Sequence, residues 1–173
     1  MPRDIISLDD LTSNNMGVFK KINEVSLPTS YPEQWYKDSL NSDQIVKLAF
    51  YSELPVGAVK GKAIITSHKS DSYESSQQLQ LPSESIPNAV YLESFAVLEA
   101  YRNLGIGAKL LEYVIAETKK RFMHEVMLHV HIENSQAIEW YLKHGFVKNG
   151  DVKDYYKEQG LSNPDAVILS IKV

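Results

Sequence analysis

The sequence predicts an α/β (α+β) fold in which helices and strands share the core of one domain. Three observations support this prediction. The chain has 173 residues, of which 43% are hydrophobic and 23% charged, as is typical of one globular domain. Residues 45–65 are rich in strand formers. Residues 89–145 follow the order strand, helix, strand, helix. We therefore expect a single domain over residues 1–173.

The first half of the chain begins with two predicted helices. Ser13 or Asn14 can cap the first, which ends at Leu27-Pro28 because proline cannot continue a helix. Its apolar residues recur at helical spacing and are Val18, Ile22 and Val25. A second, short helix starts at Pro32, where the fixed φ of proline suits a first turn. This helix carries Trp35, Tyr36 and Leu40.

Two strands and a polar segment come next. Residues 45–51 and 56–65 are predicted strands, and Ser52-Glu53-Leu54-Pro55 between them is a hairpin connection, so the pair should be antiparallel. From Thr66 to Asn88 the composition changes to Ser, Gln, Glu and Asp with few large apolar residues. Such a composition is typical of a loop. We therefore expect a polar loop insertion at about residues 66–88.

The second half alternates strands and helices. A strand at residues 89–98 leads through Gly105-Ile106-Gly107 into a helix that ends in Lys119-Lys120-Arg121, cations that complement the helix dipole. Residues 126–132 alternate in the manner of a strand, which places the two histidines, His129 and His131, on one face. Asn134 or Ser135 caps a further helix that ends near Gly145. Strands opening at Phe146-Val147 and spanning residues 166–173 complete the chain.

The charge and the absence of cysteine exclude several functions. A formal net charge of -4 and a pI of about 5.7 give no basic face for nucleic acid. No apolar run reaches the ~18 residues that cross a bilayer, and the start lacks the apolar region of a signal peptide. We expect a cytoplasmic protein without membrane contact. A chain without cysteine forms no disulfide, thiolate zinc site or thioester to the enzyme.

The turn before the predicted helix is suited to a pyrophosphate. A strand that enters a glycine turn and then a helix directs backbone N–H groups and the positive helix end at one point. Gly105 and Gly107 allow close approach of phosphates, and Arg102 adds a positive charge. Dinucleotide and P-loop motifs are absent, because they need glycine at Leu110 and Ala108 respectively. An ordinary turn that uses glycine for its φ freedom is the alternative.

These residues carry a family resemblance. Arg102-x-x-Gly105-x-Gly107 follows an apolar strand and precedes Asn134 and a helix ending in Trp140-Tyr141-Leu142-Lys143-His144-Gly145-Phe146. This arrangement resembles the acetyl-coenzyme A motif of the GNAT superfamily. Four further segments are similar to the catalytic subunit of N-terminal acetyltransferase E (NatE): Leu27-Pro28-Thr29-Ser30-Tyr31, Tyr91, Leu128-His129-Val130 and Tyr155-Tyr156. The resemblance covers nearly the whole chain except the insertion.

The resemblance implies the GNAT fold, a mixed and mostly antiparallel central sheet flanked by helices, with a splayed strand pair at the acetyl-CoA site. It implies acetyl-CoA as cofactor and coenzyme A as product. The implied cofactor-binding residues are Phe95, Val97, Arg102, Asn103, Leu104, Gly105, Ile106, Gly107, Asn134 and Tyr141. We expect the Val97 N–H to polarise the thioester carbonyl and Tyr141 to protonate the departing sulfur.

Acetyl transfer to an amine needs a neutral nucleophile. Because an α-amine has a pKa near ~7.7–8.0, one positioned base or a base-bound water can remove its proton. His129 suits this role, whereas a tyrosine, with a pKa near ~10, is a poor base. The resemblance pairs His129 with Tyr91, which would hold the water or the amine. No activated side-chain nucleophile is visible, so we expect direct attack in a ternary complex.

Each of these side chains could instead have a purely structural role. His129 and His131 could be a half-exposed strand pair without a role. As a metal site they lack the third protein ligand that catalytic zinc usually takes, and we expect no metal. Tyr141 could be a core aromatic, and Tyr155-Tyr156 an aromatic strand start.

The resemblance also implies a substrate. In NatE enzymes the first loop forms an apolar pocket for an initial methionine, and the tyrosine doublet hydrogen-bonds the peptide backbone. The implied substrate-binding residues are Leu27, Pro28, Thr29, Tyr31, Tyr91, His129, Tyr155 and Tyr156. We expect acetylation of protein N-termini that begin with Met followed by an apolar residue. Leu27 replaces an aromatic residue and Thr29 a valine, so selectivity should be looser.

The resemblance implies partners, and two other functions stay open. The implied partners are the auxiliary and catalytic subunits of the NatA complex at the ribosome. A GNAT enzyme acting on lysine side chains or small amines is one alternative, although the tyrosine doublet speaks against an open small-amine site. A non-catalytic acetyl-CoA-binding subunit of NatA is the other, although the glycine turn, Tyr91 and His129 are all present.

Overall fold

A computed structural model describes residues 5–27, 30–65, 87–152 and 166–173. In chain order these residues form β1 (Ile6–Asp10), α1 (Met16–Ser26), α2 (Glu33–Asp38), β2 (Gln44–Tyr51), β3 (Leu54–Ile64), β4 (Ala89–Val97), a 3-10 turn (Glu99–Tyr101), α3 (Ile106–Lys120), β5 (Glu125–His131), α4 (Ser135–Lys143), β6 (Val147–Val152) and β7 (Ala166–Lys172). None of the helices in these ranges is long and apolar enough to cross a membrane.

The strands form one seven-stranded sheet in the order β1-β2-β3-β4-β5-β7-β6. β1 with β2, β2 with β3, β5 with β7 and β6 with β7 pair antiparallel, and β4 with β5 pairs parallel. The sheet is therefore mixed and mostly antiparallel, as predicted. The parallel register joins Val90 to Val126 and Tyr91 to Met127, although both strands continue further. This short pairing agrees with the predicted splayed strand pair.

The chain divides into two compact units. The first comprises Met1–Lys62 and Leu92–Glu117, and the second comprises Ala63–Tyr91 and Thr118–Val173. A buried cluster in the first unit contains Phe19, Ile22, Tyr36, Leu48, Ala58 and Ala96. A buried cluster in the second unit contains Ile64, Ala89, Tyr91, Met127 and Ile168. Burial of large apolar side chains stabilises each cluster by roughly 1.5–3 kcal/mol per residue.

Several boundaries differ from the prediction. The cap of α1 is Asn15, not Ser13 or Asn14, and its side chain bridges the preceding turn by accepting from the Thr12 N–H at 2.7 Å and donating to the Asp10 carbonyl at 2.9 Å. β1, which was not predicted as a strand, is an edge strand with acidic residues at its end. Its short apolar start has too few residues to show a strand period.

Two further predictions need correction. The hairpin connection is shorter than predicted, because Leu54 and Pro55 already belong to β3 and Ser52 adopts a positive φ of +58° in the turn. Leu40 lies beyond α2, which ends at Asp38. Of the predicted insertion at 66–88, residues 66–86 lie outside the described part of the chain.

Candidate active site

The predicted phosphate-binding turn connects β4 to α3 in the first unit. Asn103 and Gly105 adopt positive φ angles of +64° and +87°, and the second of these favours glycine strongly. The Gly105 carbonyl accepts the Lys109 N–H at 3.1 Å, so Gly105 stands at the start of α3. Gly107 lies inside the first turn of α3.

The chemistry of this turn suits an anion. The first N–H groups of a helix have no acceptor within the helix, and the helix dipole is positive there. Residues 102–105 are exposed, whereas Ile106 is buried and anchors the helix start. Arg102 Nε donates to the Val97 carbonyl at 3.0 Å. This hydrogen bond ties the guanidinium to the end of β4, beside the helix start.

The other cofactor-site predictions in the first unit fall on the same strand and turn. Phe95 and Val97 are half-buried and alternate along β4 with the buried Ser94 and Ala96. Leu104 is exposed in the turn.

Gly57 of β3 supports the start of α3 and was not predicted. A Cβ at this position would lie 3.0 Å from the Ala96 carbonyl oxygen and 3.4 Å from side-chain carbons of both Ile106 and Leu110. Only a glycine therefore allows β3 to approach β4 and α3 without displacement. A glycine inside an otherwise apolar strand is the sequence signal for such a close approach.

A second candidate group lies in the second unit, where Tyr91 of β4 and His129 of β5 meet. Tyr91 Oη and His129 Nδ1 are 2.6 Å apart, and the ring centroids are 5.5 Å apart. The parallel register explains the contact, because Tyr91 pairs with Met127 and His129 is the next residue of β5 on that face. The predicted pair is therefore brought together.

The environment of His129 keeps its imidazole neutral. Burial lowers the pKa of His129 from 6.5 to about 4, because a charged ring would lose its hydration. If Nδ1–H donates to the tyrosine oxygen, Nε2 is the nitrogen that can accept a proton. If the hydroxyl donates to Nδ1 instead, Nε2 carries the hydrogen. Either tautomer is a hydrogen-bonding group without charge at neutral pH.

His131 has a local contact. Its Nδ1 accepts the Glu133 N–H at 3.2 Å, which closes the turn after β5. Among the described residues, no group of three His, Cys, Asp or Glu side chains is placed to hold a metal ion.

Asn134 and Tyr141 lie at opposite ends of α4 in the second unit. Asn134 is the N-cap, one of the two predicted alternatives, and its Oδ1 accepts the Ala137 N–H at 3.2 Å. Tyr141 is buried, with edge-on ring contacts to Trp140 at 5.1 Å and Phe146 at 5.2 Å. The predicted helix end is also found, because Gly145 has a φ of +99°.

The structure describes only the two ends of the predicted substrate loop, residue 27 and residues 30–31. Leu27 and Tyr31 both pack against the buried cluster of the first unit. Tyr31 stacks on Trp35 with ring centroids 3.9 Å apart and donates from Oη to the Glu93 carbonyl at 2.9 Å. Pro28 and Thr29 lie outside the described residues, as do Tyr155 and Tyr156.

Lys60 and Glu93 adjoin Tyr31 and Trp35 and were not predicted. Lys60 Nζ lies 3.9 Å from the Trp35 ring centroid and 3.8 Å from Glu93 Oε1. The sequence signal that could have identified them is a charged residue inside a predicted strand whose neighbouring residues are apolar or small.

Comparison with known proteins agrees with this geometry. The chain matches the model of the acetyltransferase (GNAT) family over residues 18–146. It is 35% identical over 171 residues to the probable N-acetyltransferase san of Drosophila melanogaster, covering 98% of this chain and 82% of that protein. It is 33% identical over 165 residues to N-alpha-acetyltransferase 50 of Danio rerio, covering 95% and 86%.

A solved structure extends the similarity to the fold. Arabidopsis thaliana Naa50, in complex with the bisubstrate analogue CoA-Ac-MVNAL, is 30% identical and matches with a TM-score of 0.78 over 96% of this chain and 98% of that one. The predicted mixed sheet, the glycine turn at the start of α3 and the Asn134 cap are all found in this chain. With the family model matching most of its length, this chain belongs to the acetyltransferase (GNAT) family.

Proposed function

We propose that this chain transfers an acetyl group from acetyl-CoA to the α-amine of protein N-termini that begin with Met followed by an apolar residue. Its relatives support the coarse activity, an acetyl-CoA-dependent N-alpha-acetyltransferase, since they include N-alpha-acetyltransferase 50 and a Naa50 bound to CoA-Ac-MVNAL. The peptide part of that analogue begins with Met and Val. The coarse activity of the chain is that of an N-alpha-acetyltransferase, and the preference for Met followed by an apolar residue is the proposed part.

The observation that carries the proposal is the 2.6 Å contact between Tyr91 Oη and His129 Nδ1. It joins a hydroxyl to an uncharged imidazole, two groups that can exchange and relay a proton. About a tenth of an α-amine with a pKa near ~8 is already neutral at pH 7. The pair therefore needs to orient the amine, or a water that takes its proton, and does not need to store that proton.

The pKa of about 4 refines the role of His129. An imidazole with so low a pKa holds a proton only briefly, so His129 acts as an acceptor that passes the proton to water. Tyr91 fixes the orientation of the ring through Nδ1. A charged histidine would repel the ammonium form of the substrate. The uncharged state of His129 therefore favours substrate binding.

The turn of the first unit fits the diphosphate of coenzyme A. The first N–H groups of the 15-residue α3 and the Arg102 guanidinium would hold it, because both carry positive charge at one exposed place. When bound, acetyl-CoA supplies a thioester carbonyl for attack. The Val97 N–H is proposed to donate to that carbonyl, and Tyr141 to supply the proton for the leaving sulfur.

Direct attack by the amine in a ternary complex is the proposed mechanism. The chain has no cysteine, so the acetyl group cannot pass through a thioester to the enzyme. Leu27, Pro28, Thr29 and Tyr31 are proposed to form the pocket for the first residue, and Tyr155-Tyr156 to hold the peptide backbone. Docking on the NatA subunits is proposed from the NatE resemblance alone.

A peptide panel tests the proposed function. The purified chain is incubated with acetyl-CoA and peptides beginning Met-Leu, Met-Val, Met-Lys or Ser-Ser, and mass spectrometry locates the acetyl group. We expect α-amine acetylation that is about tenfold faster for Met-Leu and Met-Val than for Ser-Ser, since pocket contacts of methylene size are worth ~1–3 kcal/mol. A Met-Leu peptide with a blocked N-terminus and an internal lysine is the control.

Two results would contradict the proposal. Turnover confined to lysine side chains or polyamines would identify a different acceptor class. Acetyl-CoA binding without transfer to any acceptor would identify a non-catalytic subunit.

A further inference from the structure

Lys60 is a charged residue in the interior of the first unit. Its side chain is 2% exposed, and the Glu93 side chain is 13% exposed. Taking an ammonium group out of water costs several kcal/mol unless other groups compensate.

Three contacts of Lys60 compensate this cost, and two of them involve Trp35. Nζ donates to the Trp35 backbone carbonyl at 3.2 Å and lies 3.9 Å from the centroid of the Trp35 ring. The third contact is the ion pair with Glu93 Oε1 at 3.8 Å. Burial lowers the pKa of Lys60, and the Glu93 carboxylate opposes this shift. The lysine thus fixes both a tryptophan and a carboxylate.

Glu93 connects Trp35 to Tyr31 through two hydrogen bonds. Its Oε2 accepts the indole N–H of Trp35 at 2.5 Å, and its backbone carbonyl accepts the Tyr31 hydroxyl at 2.9 Å. The Tyr31 ring is stacked on Trp35 with an interplanar angle of 13°. We name Tyr31, Trp35, Lys60 and Glu93 the Lys60 cluster. Two contacts of Tyr31, the ring stacking on Trp35 and the hydrogen bond to the Glu93 carbonyl, are therefore made to residues that Lys60 contacts.

We propose that Lys60 is a positioning residue for the first-residue pocket: it holds Trp35 and Glu93, which in turn fix Tyr31 as a wall of that pocket. This inference rests on the proposed function, in which Tyr31 contacts the first residue of the substrate. Lys60 itself touches neither substrate nor cofactor. Its removal should therefore affect peptide binding through Tyr31, and leave acetyl-CoA binding and chemistry intact.

The test compares Lys60→Met with Lys47→Met in steady-state assays on a Met-Leu peptide. Lys47 is a matched control, because it also lies on a strand, pairs with a carboxylate (Asp10) and lies 4.7 Å from a ring centroid (Tyr113). We expect Lys60→Met to raise the peptide KM about tenfold, with kcat within about twofold and the acetyl-CoA KM unchanged. Lys47→Met should leave all three parameters unchanged.

A double-variant cycle shows whether Lys60 acts through Tyr31. In a Tyr31→Ala background, Lys60→Met should raise the peptide KM by less than about twofold, because the residue it positions is gone. An equal, tenfold effect in both backgrounds would overturn the proposal, as would a Lys60→Met peptide KM equal to that of the wild type.

Two further outcomes are decisive. If Lys60→Met does not fold, Glu93→Gln replaces it, since the amide oxygen can still accept the Trp35 N–H while the charge that pairs with Lys60 is lost; an unchanged peptide KM in Glu93→Gln would overturn the proposal. If the wild type acetylates no peptide, the proposed function fails and this inference fails with it. An active wild type with an unaffected Lys60 variant would reject this inference alone.

Discussion

At the residue scale, the Tyr91–His129 contact shows how two ordinary side chains acquire a specific chemistry. Adjacent parallel strands bring them within 2.6 Å, and burial keeps the imidazole uncharged. Their sequence separation of 38 residues puts the contact beyond local pattern, so the prediction of the pair came from the family resemblance. The alternation of residues 126–132 alone placed His129 and His131 on one face and could not distinguish their roles.

The pKa of His129 predicts a dependence of stability on pH. The folded state has a pKa of about 4 and an unfolded histidine one near ~6.5, so the unfolded state binds more protons between these values. The contribution is absent above about pH 6.5, and stability is lost as pH falls from there toward pH 4, at up to ~1.4 kcal/mol per pH unit. Chemical denaturation of wild type and His129→Gln at pH 7, 6 and 5 measures this. The wild type should lose more free energy of unfolding on acidification, and parallel curves would contradict the low pKa.

At the element scale, the segment from β4 through the turn into α3 is where local chemistry predicts most. Glycine at a positive φ, the apolar face of α3 and the cation-rich end of the helix are all readable along the chain, as are the Asn134 cap and Gly145 of α4. Contacts between residues that are far apart in the sequence cannot be predicted from such local patterns. Gly57 meets Ala96 and Ile106 only because of strand and helix packing, and Lys60 meets Glu93 for the same reason.

The turn geometry predicts a selective loss of cofactor binding in Gly105→Ala. A non-glycine residue at a φ of +87° is strained by roughly 1–2 kcal/mol, so the backbone N–H groups of the turn should move. We expect the acetyl-CoA KM to rise about tenfold while the peptide KM changes less than about twofold. Gly17→Ala on α1 is the control, because a Cβ there has no neighbour within 4 Å. Equal acetyl-CoA KM values in both variants would refute the assignment of the turn.

At the scale of the whole molecule, the residues of the proposed reaction are distributed over both compact units. Val97, Arg102, the glycine turn and the Lys60 cluster belong to the first unit, and Tyr91, His129, Asn134 and Tyr141 belong to the second. The order of predicted strands and helices predicted the α/β class, and the resemblance predicted the sheet. Neither predicted the division into units, because it depends on contacts formed only after folding.

The role of His129 is tested most directly by the rate of α-amine acetylation of a Met-Leu peptide by wild type, His129→Ala and His131→Ala. The affinity of the same samples for acetyl-CoA is measured by calorimetric titration. We expect His129→Ala to lose about 10²-fold in turnover and to keep the wild-type affinity for acetyl-CoA. His131→Ala, whose histidine caps a local turn, should match the wild type. A His129→Ala enzyme with wild-type rates from pH 6 to 9 would show that His129 does not accept the proton. A wild type that binds no acetyl-CoA would overturn the proposed function.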